Sequence, residues 1–369
     1  MEPLSPAILP AGIRARMVPG INGLTMHVLE AGQAGRPVLL LLHGFPELAF
    51  SWRRVMLPLA EAGFHVIAPD QRGYGRTIGW SDAYDSDLRP FAMINLVRDQ
   101  LALLAALGVP QVHAVIGHDF GSPVAAHCAL LRPDVFRRVA LMSAPFAGPP
   151  GLGTSSRAPA RDIGADLAAL KRPRKHYHWY YATRPANGDI MADPRGLHAF
   201  FRAYYHHKSG DWAGNDVFPL KGWTAEELAK MPTYYVMDLA EAMPQAVAHE
   251  MPTAAQIAAC DWLTEADVAV YAAEYGRSGF QGGLNGYRTR FEPTNLEMEV
   301  FAGCRIAVPA TFIGGARDWG VQQAPGALRK METEATADWR GTHLVPGAGH
   351  WVQQERPGET VRLLLDFLR

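Results

Sequence analysis

Three polar residues follow apolar, strand-like runs and could together perform nucleophilic catalysis. Asp119 comes after QVHAVIGH, Asp318 after ATFIGGAR and His350 after HLVPGAG. A histidine placed between two carboxylates can activate water for one of them while the other orients its ring. Glycines on either side of Asp119, at positions 117 and 121, permit the close backbone packing of a sharp strand-to-helix turn. A single aspartate at a strand end is more often a helix cap, so the prediction rests on the three positions together.

A carboxylate where such a turn usually carries a serine changes the available reaction. Serine attacking a saturated carbon would form an ether that water cannot readily reopen, whereas Asp119 would form an ester. Water activated by His350 could hydrolyse that ester at its carbonyl, with Asp318 orienting the imidazole and stabilising the imidazolium. The sequence therefore predicts substrates with a leaving group on saturated carbon, chiefly epoxides and alkyl halides.

The turn His43-Gly44-Phe45-Pro46, directly after PVLLLL, supplies a further part of the predicted site. Ester hydrolysis needs N–H donors for the oxyanion, one after the nucleophile and one from a neighbouring loop. We expect the backbone N–H groups of Phe45 and Phe120 to form this oxyanion hole, each contributing roughly 3 kcal/mol to transition-state stabilisation. A tight turn that needs Gly and Pro only for its geometry is the alternative interpretation.

The leaving group distinguishes the two substrate classes. A halide departs without a proton, whereas an epoxide oxygen leaves as a basic alkoxide and benefits from a general acid. Tyrosine, with a reference pKa of about 10, is protonated at neutral pH and suits that role. Phe45 and Phe120 offer no side-chain donor to a halide, which favours an epoxide.

Strand-like and helix-like segments alternate from Met26 to Pro145 and again from residue 305 to the end. Continuous apolar strands between helices are typical of a parallel sheet covered on both faces. The segments that carry this pattern are MHVLEAG, PVLLLLHG, SWRRVMLPLAEAG, HVIAPD, LVRDQLALLAALG, QVHAVIGHD, SPVAAHCALL, RRVALMSAP, RIAVPATFIGG, THLVPGAGH and ETVRLLLDFLR. We expect an α/β fold with a mostly parallel central sheet flanked by helices.

The intervening segment differs in character and predicts an inserted, mainly helical cap domain. Strand alternation disappears, and patterns such as PTAAQIAACDWL and EADVAVYAAEYGRSG indicate helices, with Gly276 or Gly279 near a helix end. Ligands of open parallel sheets bind beyond the carboxyl ends of the strands, so the cap would roof the site. We predict core residues 1–147 and 299–369 and cap residues 148–298. Ten of the 12 tyrosines fall in the cap: Tyr177, Tyr180, Tyr181, Tyr204, Tyr205, Tyr234, Tyr235, Tyr271, Tyr275 and Tyr287.

Composition excludes several other classes of function. With 35 basic and 36 acidic residues in a chain of 369, there is no electrostatic footprint for nucleic acid or an anionic membrane. No stretch reaches the roughly 20 apolar residues of a membrane span, and the N-terminus lacks a signal-peptide core. The three cysteines are far apart and lack metal-ligand spacing, which favours free thiols. The glycines of RGYGRTIG follow a GxGxxxG spacing, one residue longer than a dinucleotide-binding loop.

The motifs together resemble the epoxide hydrolases of the α/β-hydrolase fold. The resemblance covers almost the whole chain from about Leu39 and is carried by HGFPE, PDQRGYGRT, GHDFG and GAGHWVQQERP. It implies that Asp119 is the nucleophile, His350 the base and Asp318 its acidic partner. It also implies two cap tyrosines that hold and protonate the epoxide oxygen: KHYHWYYATRPAN maps the first onto Tyr177, with Tyr180 and Tyr181 close by, and GFQGGLNGYR maps the second onto Tyr287.

The expected activity is the opening of epoxides to vicinal diols through a covalent aspartyl ester, with a small hydrophobic epoxide and water as partners. No cofactor and no metal is expected, nor a nucleic-acid partner or a membrane span. We expect a cytoplasmic protein, and a homodimer is compatible with the sequence. Pro46, Trp179 and Trp351 are expected to line the substrate pocket. The alternatives are a haloalkane or haloacid dehalogenase with the same nucleophile, and a degenerate scaffold that binds a small hydrophobic signal without turnover.

Overall fold

The computed structural model describes residues 1–153 and 162–369, and a mixed eight-stranded sheet forms the centre of the molecule. The strand order is β1-β2-β4-β3-β5-β6-β9-β10. β2 pairs antiparallel with β1 and β4, and the remaining neighbours are parallel. The strands are β1 Arg14–Ile21, β2 Leu24–Ala31, β3 Val38–Leu42, β4 His65–Pro69, β5 Ala114–His118, β6 Val139–Met142, β9 Ile306–Gly315 and β10 Thr336–Val345, while β7 Arg174–His176 and β8 Val236–Asp238 form a separate antiparallel pair.

Helices cover both faces of the sheet because its central strands are apolar on both sides. All five residues of β3, Val38–Leu42, are buried, and successive leucines join different apolar clusters. Leu39 and Leu41 pack on the side of α1 and α15, whereas Leu40 and Leu42 pack on the side of α2 and α3. The core helices are α1 Arg53–Glu61, α2 Met93–Ala106, α3 Gly121–Leu131, α13 Ala327–Lys330, α14 Val352–Glu355 and α15 Pro357–Leu368. The predicted α/β-hydrolase architecture is confirmed.

A mainly helical insert lies between β6 and β9, as the loss of strand alternation predicts. Its helices are α4 Ile163–Ala168, α5 Tyr177–Tyr181, α6 Pro185–Met191, α7 Gly196–Lys208, α8 Ala225–Leu228, α9 Met243–Ala248, α10 Ala254–Ala259, α11 Glu265–Ser278 and α12 Gln281–Arg288. Gly279, at φ 65°, is the residue that ends α11, since its backbone lies in the left-handed region. Within the described residues, no helix is both long and apolar enough to cross a membrane.

The RGYGRT segment of the core contacts the cap helix α12. A Cβ atom at Gly282 would lie 2.0 Å from the carbonyl oxygen of Gly73, so the two backbones touch and neither position has room for a side chain. Arg76 in the same segment pairs with Glu274 of α11 at 2.6 Å. These glycines therefore serve contact between core and cap, in agreement with the spacing that argued against a nucleotide-binding loop.

Candidate active site

Asp119 stands at the tight turn between β5 and α3. Its φ is 50°, in the left-handed region that non-glycine residues rarely adopt. The turn closes only because its neighbours lack side chains: a Cβ at Gly117 would lie 2.1 Å from the carbonyl oxygen of Gly121, and one at Gly121 would lie 2.1 Å from that of Leu42. This strained conformation presents the carboxylate beyond the end of the strand, as in a nucleophile elbow.

The structure brings Asp119, Asp318 and His350 together. His350 Nδ1 lies 3.0 Å from Asp318 Oδ1, and its Nε2 lies 3.3 Å from Asp119 Oδ2. The backbone N–H of Gly320 donates to the same Asp318 oxygen at 2.7 Å. Asp318 thus contacts one ring nitrogen of His350, while the other ring nitrogen faces Asp119, the candidate nucleophile.

The buried charges of this triad determine which groups are ionised. Burial acts to raise the pKa of Asp119, but the hydrogen bond and charge of His350 outweigh it and hold that pKa far below the usual range. Burial lowers the pKa of His350, as does the charge of Lys208, yet the two carboxylates overcome both effects and raise it. Asp119 is therefore a carboxylate at neutral pH, ready to act as a nucleophile.

The predicted donor Phe45 is directed at Asp119. Its backbone N–H donates to Asp119 Oδ1 at 2.9 Å. A Cβ at Gly44 would lie 2.6 Å from the same oxygen, so a residue with a side chain would crowd the Asp119 carboxylate. The other predicted donor, Phe120, directly follows Asp119 and precedes the first turn of α3. Oδ1 is engaged by the Phe45 N–H, whereas Oδ2 is the oxygen that faces His350.

Beneath the triad, a buried polar network joins segments far apart in sequence. His118 Nδ1 lies 2.5 Å from Glu47 Oε2, and His118 Nε2 lies 2.7 Å from the carbonyl oxygen of His350. Glu47 also accepts hydrogen bonds from the backbone N–H of Gly44 at 2.9 Å and from Gln353 Nε2 at 2.9 Å. Sequence reasoning assigned no role to Glu47 or His118, although a histidine at the end of an apolar strand was a usable signal. The network connects the turn at Gly44 to the segment that carries His350 and Gln353.

Glu355 fixes the loop that carries His350. Its carboxylate accepts three backbone N–H groups, from Gly210 at 2.7 Å, Gly349 at 2.8 Å and Trp351 at 2.9 Å. Burial raises the pKa of Glu355 to about 7 although these donors favour the carboxylate.

Glu355→Ala would leave three buried backbone N–H groups without an acceptor. It is expected to lower the free energy of unfolding by about 3–5 kcal/mol, measured by urea denaturation. Glu355→Gln keeps one accepting oxygen and should lose less. Glu359→Ala is the control: Glu359 lies four residues later and pairs with Arg362 at the surface, so its removal should leave the free energy of unfolding close to the wild-type value. Equal losses for Glu355→Ala and Glu359→Ala would contradict this role.

A cavity of about 410 Å³ extends from Asp119 to the surface. Tyr177 and Tyr287 both line it, with ring centroids 5.8 Å apart. Burial raises the pKa of both phenols well above 10, so both remain protonated. The Tyr177 hydroxyl donates to Gln323 Oε1 at 3.0 Å, and Gln323 also lines the cavity. Two phenols and an ionised carboxylate thus share one cavity, which also contains four Phe or Trp side chains in its lining.

The other residues expected to line the pocket are placed differently. Trp179 lines the cavity, whereas Pro46 and Trp351 lie outside its lining. Trp351 is fully buried because its indole stacks on Tyr205 at 4.1 Å and donates from Nε1 to the Tyr205 carbonyl at 2.9 Å. Pro46 also contacts Tyr205, because its carbonyl oxygen accepts a hydrogen bond from the Tyr205 hydroxyl at 3.2 Å. Both therefore pack between core and cap.

Lys208 is a buried cation that sequence reasoning missed. No carboxylate of the described residues lies within ion-pair distance of its Nζ, which instead lies 4.9–5.8 Å from the ring centroids of Tyr204, Tyr234, Tyr235 and Trp351. Its backbone carbonyl accepts from the His350 N–H at 2.9 Å. Burial lowers the pKa of Lys208, while the charges of Asp119 and Asp318 oppose that effect. A lysine at the end of an aromatic run, YYHHK, was the available signal.

Lys208→Met is expected to shift the acid limb of the kcat profile to higher pH. The ammonium lowers the pKa of His350, so its removal lets the imidazole hold its proton at higher pH, and protonated His350 cannot act as a base. At pH 6 we expect a loss of about threefold or more in kcat relative to the alkaline plateau. Lys175→Met, which removes a cation stacked on Tyr180, is the control. An equal loss of kcat at all pH values would contradict the electrostatic role of Lys208.

Comparisons with known proteins identify the family of this chain. Residues 37–182 match the family model described as alpha/beta hydrolase fold. The chain is 34% identical over 339 residues to epoxide hydrolase B of Mycobacterium tuberculosis, covering 90% of this chain and 91% of that protein. It is 31% identical over 356 residues to epoxide hydrolase A of the same organism, covering 94% and 95%.

Solved structures agree. An epoxide hydrolase from an endophytic Streptomyces superposes with a TM-score of 0.77 at 32% identity, covering 97% of this chain and 96% of that one. Potato epoxide hydrolase I superposes with a TM-score of 0.70 at 28% identity, covering 96% and 99%. The sheet, its helical insert and the residues at the strand ends define an α/β-hydrolase. Within that class, the chain belongs to the epoxide hydrolases, and the resemblance seen in the motifs is confirmed.

Proposed function

We propose that the protein opens epoxides to vicinal diols through a covalent ester on Asp119. The observation that carries the proposal is that an ionised aspartate and two protonated phenols line one cavity. These groups support the proposal because epoxide opening requires a nucleophile and an acid, and Asp119 and the two phenols would supply them. We further propose that residues 148–298 act as the cap that supplies the acids.

In the first step, Asp119 Oδ2 attacks an epoxide carbon and the C–O bond on that carbon breaks. Tyr177 or Tyr287 donates its proton to the departing oxygen, which becomes a hydroxyl. Oδ2 is the better candidate for attack because Oδ1 already accepts from the Phe45 N–H. The product of this step is a hydroxyalkyl ester of Asp119.

In the second step, His350 takes a proton from water, and the hydroxide attacks the ester carbonyl carbon. The N–H groups of Phe45 and Phe120 stabilise the resulting oxyanion. Collapse of the intermediate expels the diol oxygen, which takes the proton from His350, and leaves Asp119 as a carboxylic acid. That acid releases its proton to solvent and the tyrosinate takes one from solvent, which restores both groups. The net reaction adds one water to one epoxide and regenerates Asp119.

The test offers the purified protein an aryl epoxide and a bromoalkane in separate reactions and measures diol and bromide. Diol from the epoxide without bromide from the bromoalkane is the expected result. Bromide release without diol would assign the protein to the dehalogenases instead. Hydrolysis in ¹⁸O-water under single-turnover conditions, followed by peptide mass analysis, should place label in Asp119, because the ester carbonyl carbon is the atom that water attacks.

A further inference from the structure

We infer that Arg290 forms a carboxylate-binding subsite at the mouth of the cavity, and that the preferred substrates are epoxides carrying a carboxylate on an apolar chain. This inference rests on the proposed function and names the substrate class for the same cavity.

Arg290 and Asp119 both line the cavity but differ in exposure. Asp119 is buried, whereas Arg290 is exposed and marks the part of the cavity that opens to solvent. The backbone N–H of Arg290 donates to the carbonyl of Tyr287 at 3.1 Å, just past the end of α12. Residues three apart on such a turn have Cβ atoms about 5–6 Å from each other. The guanidinium is therefore within a short chain length of the phenol that would receive the epoxide oxygen.

The guanidinium of Arg290 has no hydrogen-bond or ion-pair partner among residues 1–153 and 162–369. Arg288, two residues earlier, makes several contacts. Its guanidinium donates to the carbonyl of Tyr84, lies 3.8 Å from the centroid of the Tyr84 ring and pairs with Glu292 at 3.3 Å. Arg288 thus anchors α12 to the segment around Tyr84, whereas the Arg290 guanidinium makes no such contact within the described part of the chain.

The charges around the cavity leave the cation at its mouth uncompensated. Asp119 is the only carboxylate in the cavity's lining within the described chain. Burial, followed by the charge of Arg290, lowers the pKa of His176 to about 3, and the same two causes lower that of His178 well below 6.5. Both lining histidines are therefore neutral at pH 7. A bound carboxylate would meet one cation at the opening, and because Arg290 is exposed, added salt would screen their attraction.

The lining of the cavity suits an apolar chain. Trp223 and Phe291 belong to the same lining as Arg290 and are 46% and 48% exposed, and Trp179 is a half-buried aromatic residue of that lining. Large apolar side chains at a surface opening indicate ligand contact more than stability. The planar guanidinium fork matches a carboxylate through two parallel hydrogen bonds.

The test compares an epoxyalkanoate with its methyl ester, a pair that differs only in the negative charge. For the wild-type enzyme we expect kcat/KM to favour the acid by roughly tenfold, mainly through KM, and the preference to weaken with added salt. Arg290→Gln should abolish the preference, and Arg290→Lys should retain part of it. Arg36→Gln is the matched control, because Arg36 is exposed just before β3, at the opposite end of the strands.

A second measurement separates binding from chemistry. A straight-chain alkanoate without an epoxide should inhibit hydrolysis of an aryl epoxide competitively, and its inhibition constant should rise about tenfold in Arg290→Gln but not in Arg36→Gln. An acid-to-ester ratio that is unaffected by Arg290→Gln, or a wild-type preference for the ester, would overturn the subsite. If the epoxyalkanoate, its methyl ester and the aryl epoxide all remained unhydrolysed, the proposed function itself would fail. That result is distinguishable from the loss of the acid preference alone.

Discussion

His350→Asn is expected to stop the reaction after one chemical step and leave the enzyme esterified. Asn cannot take a proton from water, so hydrolysis of the ester should slow by roughly 10³–10⁴-fold, while attack by Asp119 remains available. Intact-protein mass spectrometry after incubation with an aryl epoxide should show a mass increase equal to the substrate, and peptide mapping should place it on Asp119.

His343→Asn provides the control, because that histidine lies on β10 outside the triad and should leave turnover and mass as in the wild type. An unmodified mass together with retained activity in His350→Asn would rule out the ester mechanism. Asp119→Asn should form no adduct within the same incubation, which identifies the attacked residue independently.

Removing the two cap phenols is expected to have the other large effect. Tyr177→Phe and Tyr287→Phe should each slow ring opening by about 100-fold, and the double variant by more than either alone, because each phenol can hold or protonate the same oxygen. Single-turnover formation of the ester is the measurement, since it isolates ring opening from hydrolysis.

Tyr180→Phe is the matched control, because the Tyr180 hydroxyl donates to Asp189 at 3.0 Å and lies outside the cavity lining. A double variant with a wild-type rate of ester formation would exclude the tyrosines as acids. The raised pKa values of both phenols add a pH prediction. The protonated form persists above pH 10, so ring opening should show no alkaline loss up to that point.

Motifs at the ends of strands could be predicted because the chemistry there is local in sequence. Asp119, Asp318 and His350 each follow a recognisable apolar run, and parallel strands bring such ends to one edge of a sheet. The assignment among neighbouring tyrosines needed coordinates: Tyr177 faces the cavity, while the Tyr181 hydroxyl lies 3.4 Å from that of Tyr204.

What the sequence did not predict depends on contacts between distant segments. Glu47 meets Gln353 across 306 positions, and no local pattern indicates such a pair. Strand β1, Arg14–Ile21, was missed because it is an edge strand with few buried residues. The β7–β8 pair has three residues in each strand, too few to display a period of two.

The backbone contact between Gly73 and Gly282 has a consequence for how the cap can vary. Tyr287 lies five residues beyond Gly282 on α12, so the contact ties the position of this proposed acid to the core. In any cyclic ether the oxygen that needs a proton is bonded to the carbon under attack, so the acid and the nucleophile must keep a set separation. A contact between two backbones does not depend on side-chain rotamers. Residues elsewhere in the cavity lining can therefore change, and with them the shape of the substrates admitted, without moving the acid away from the nucleophile.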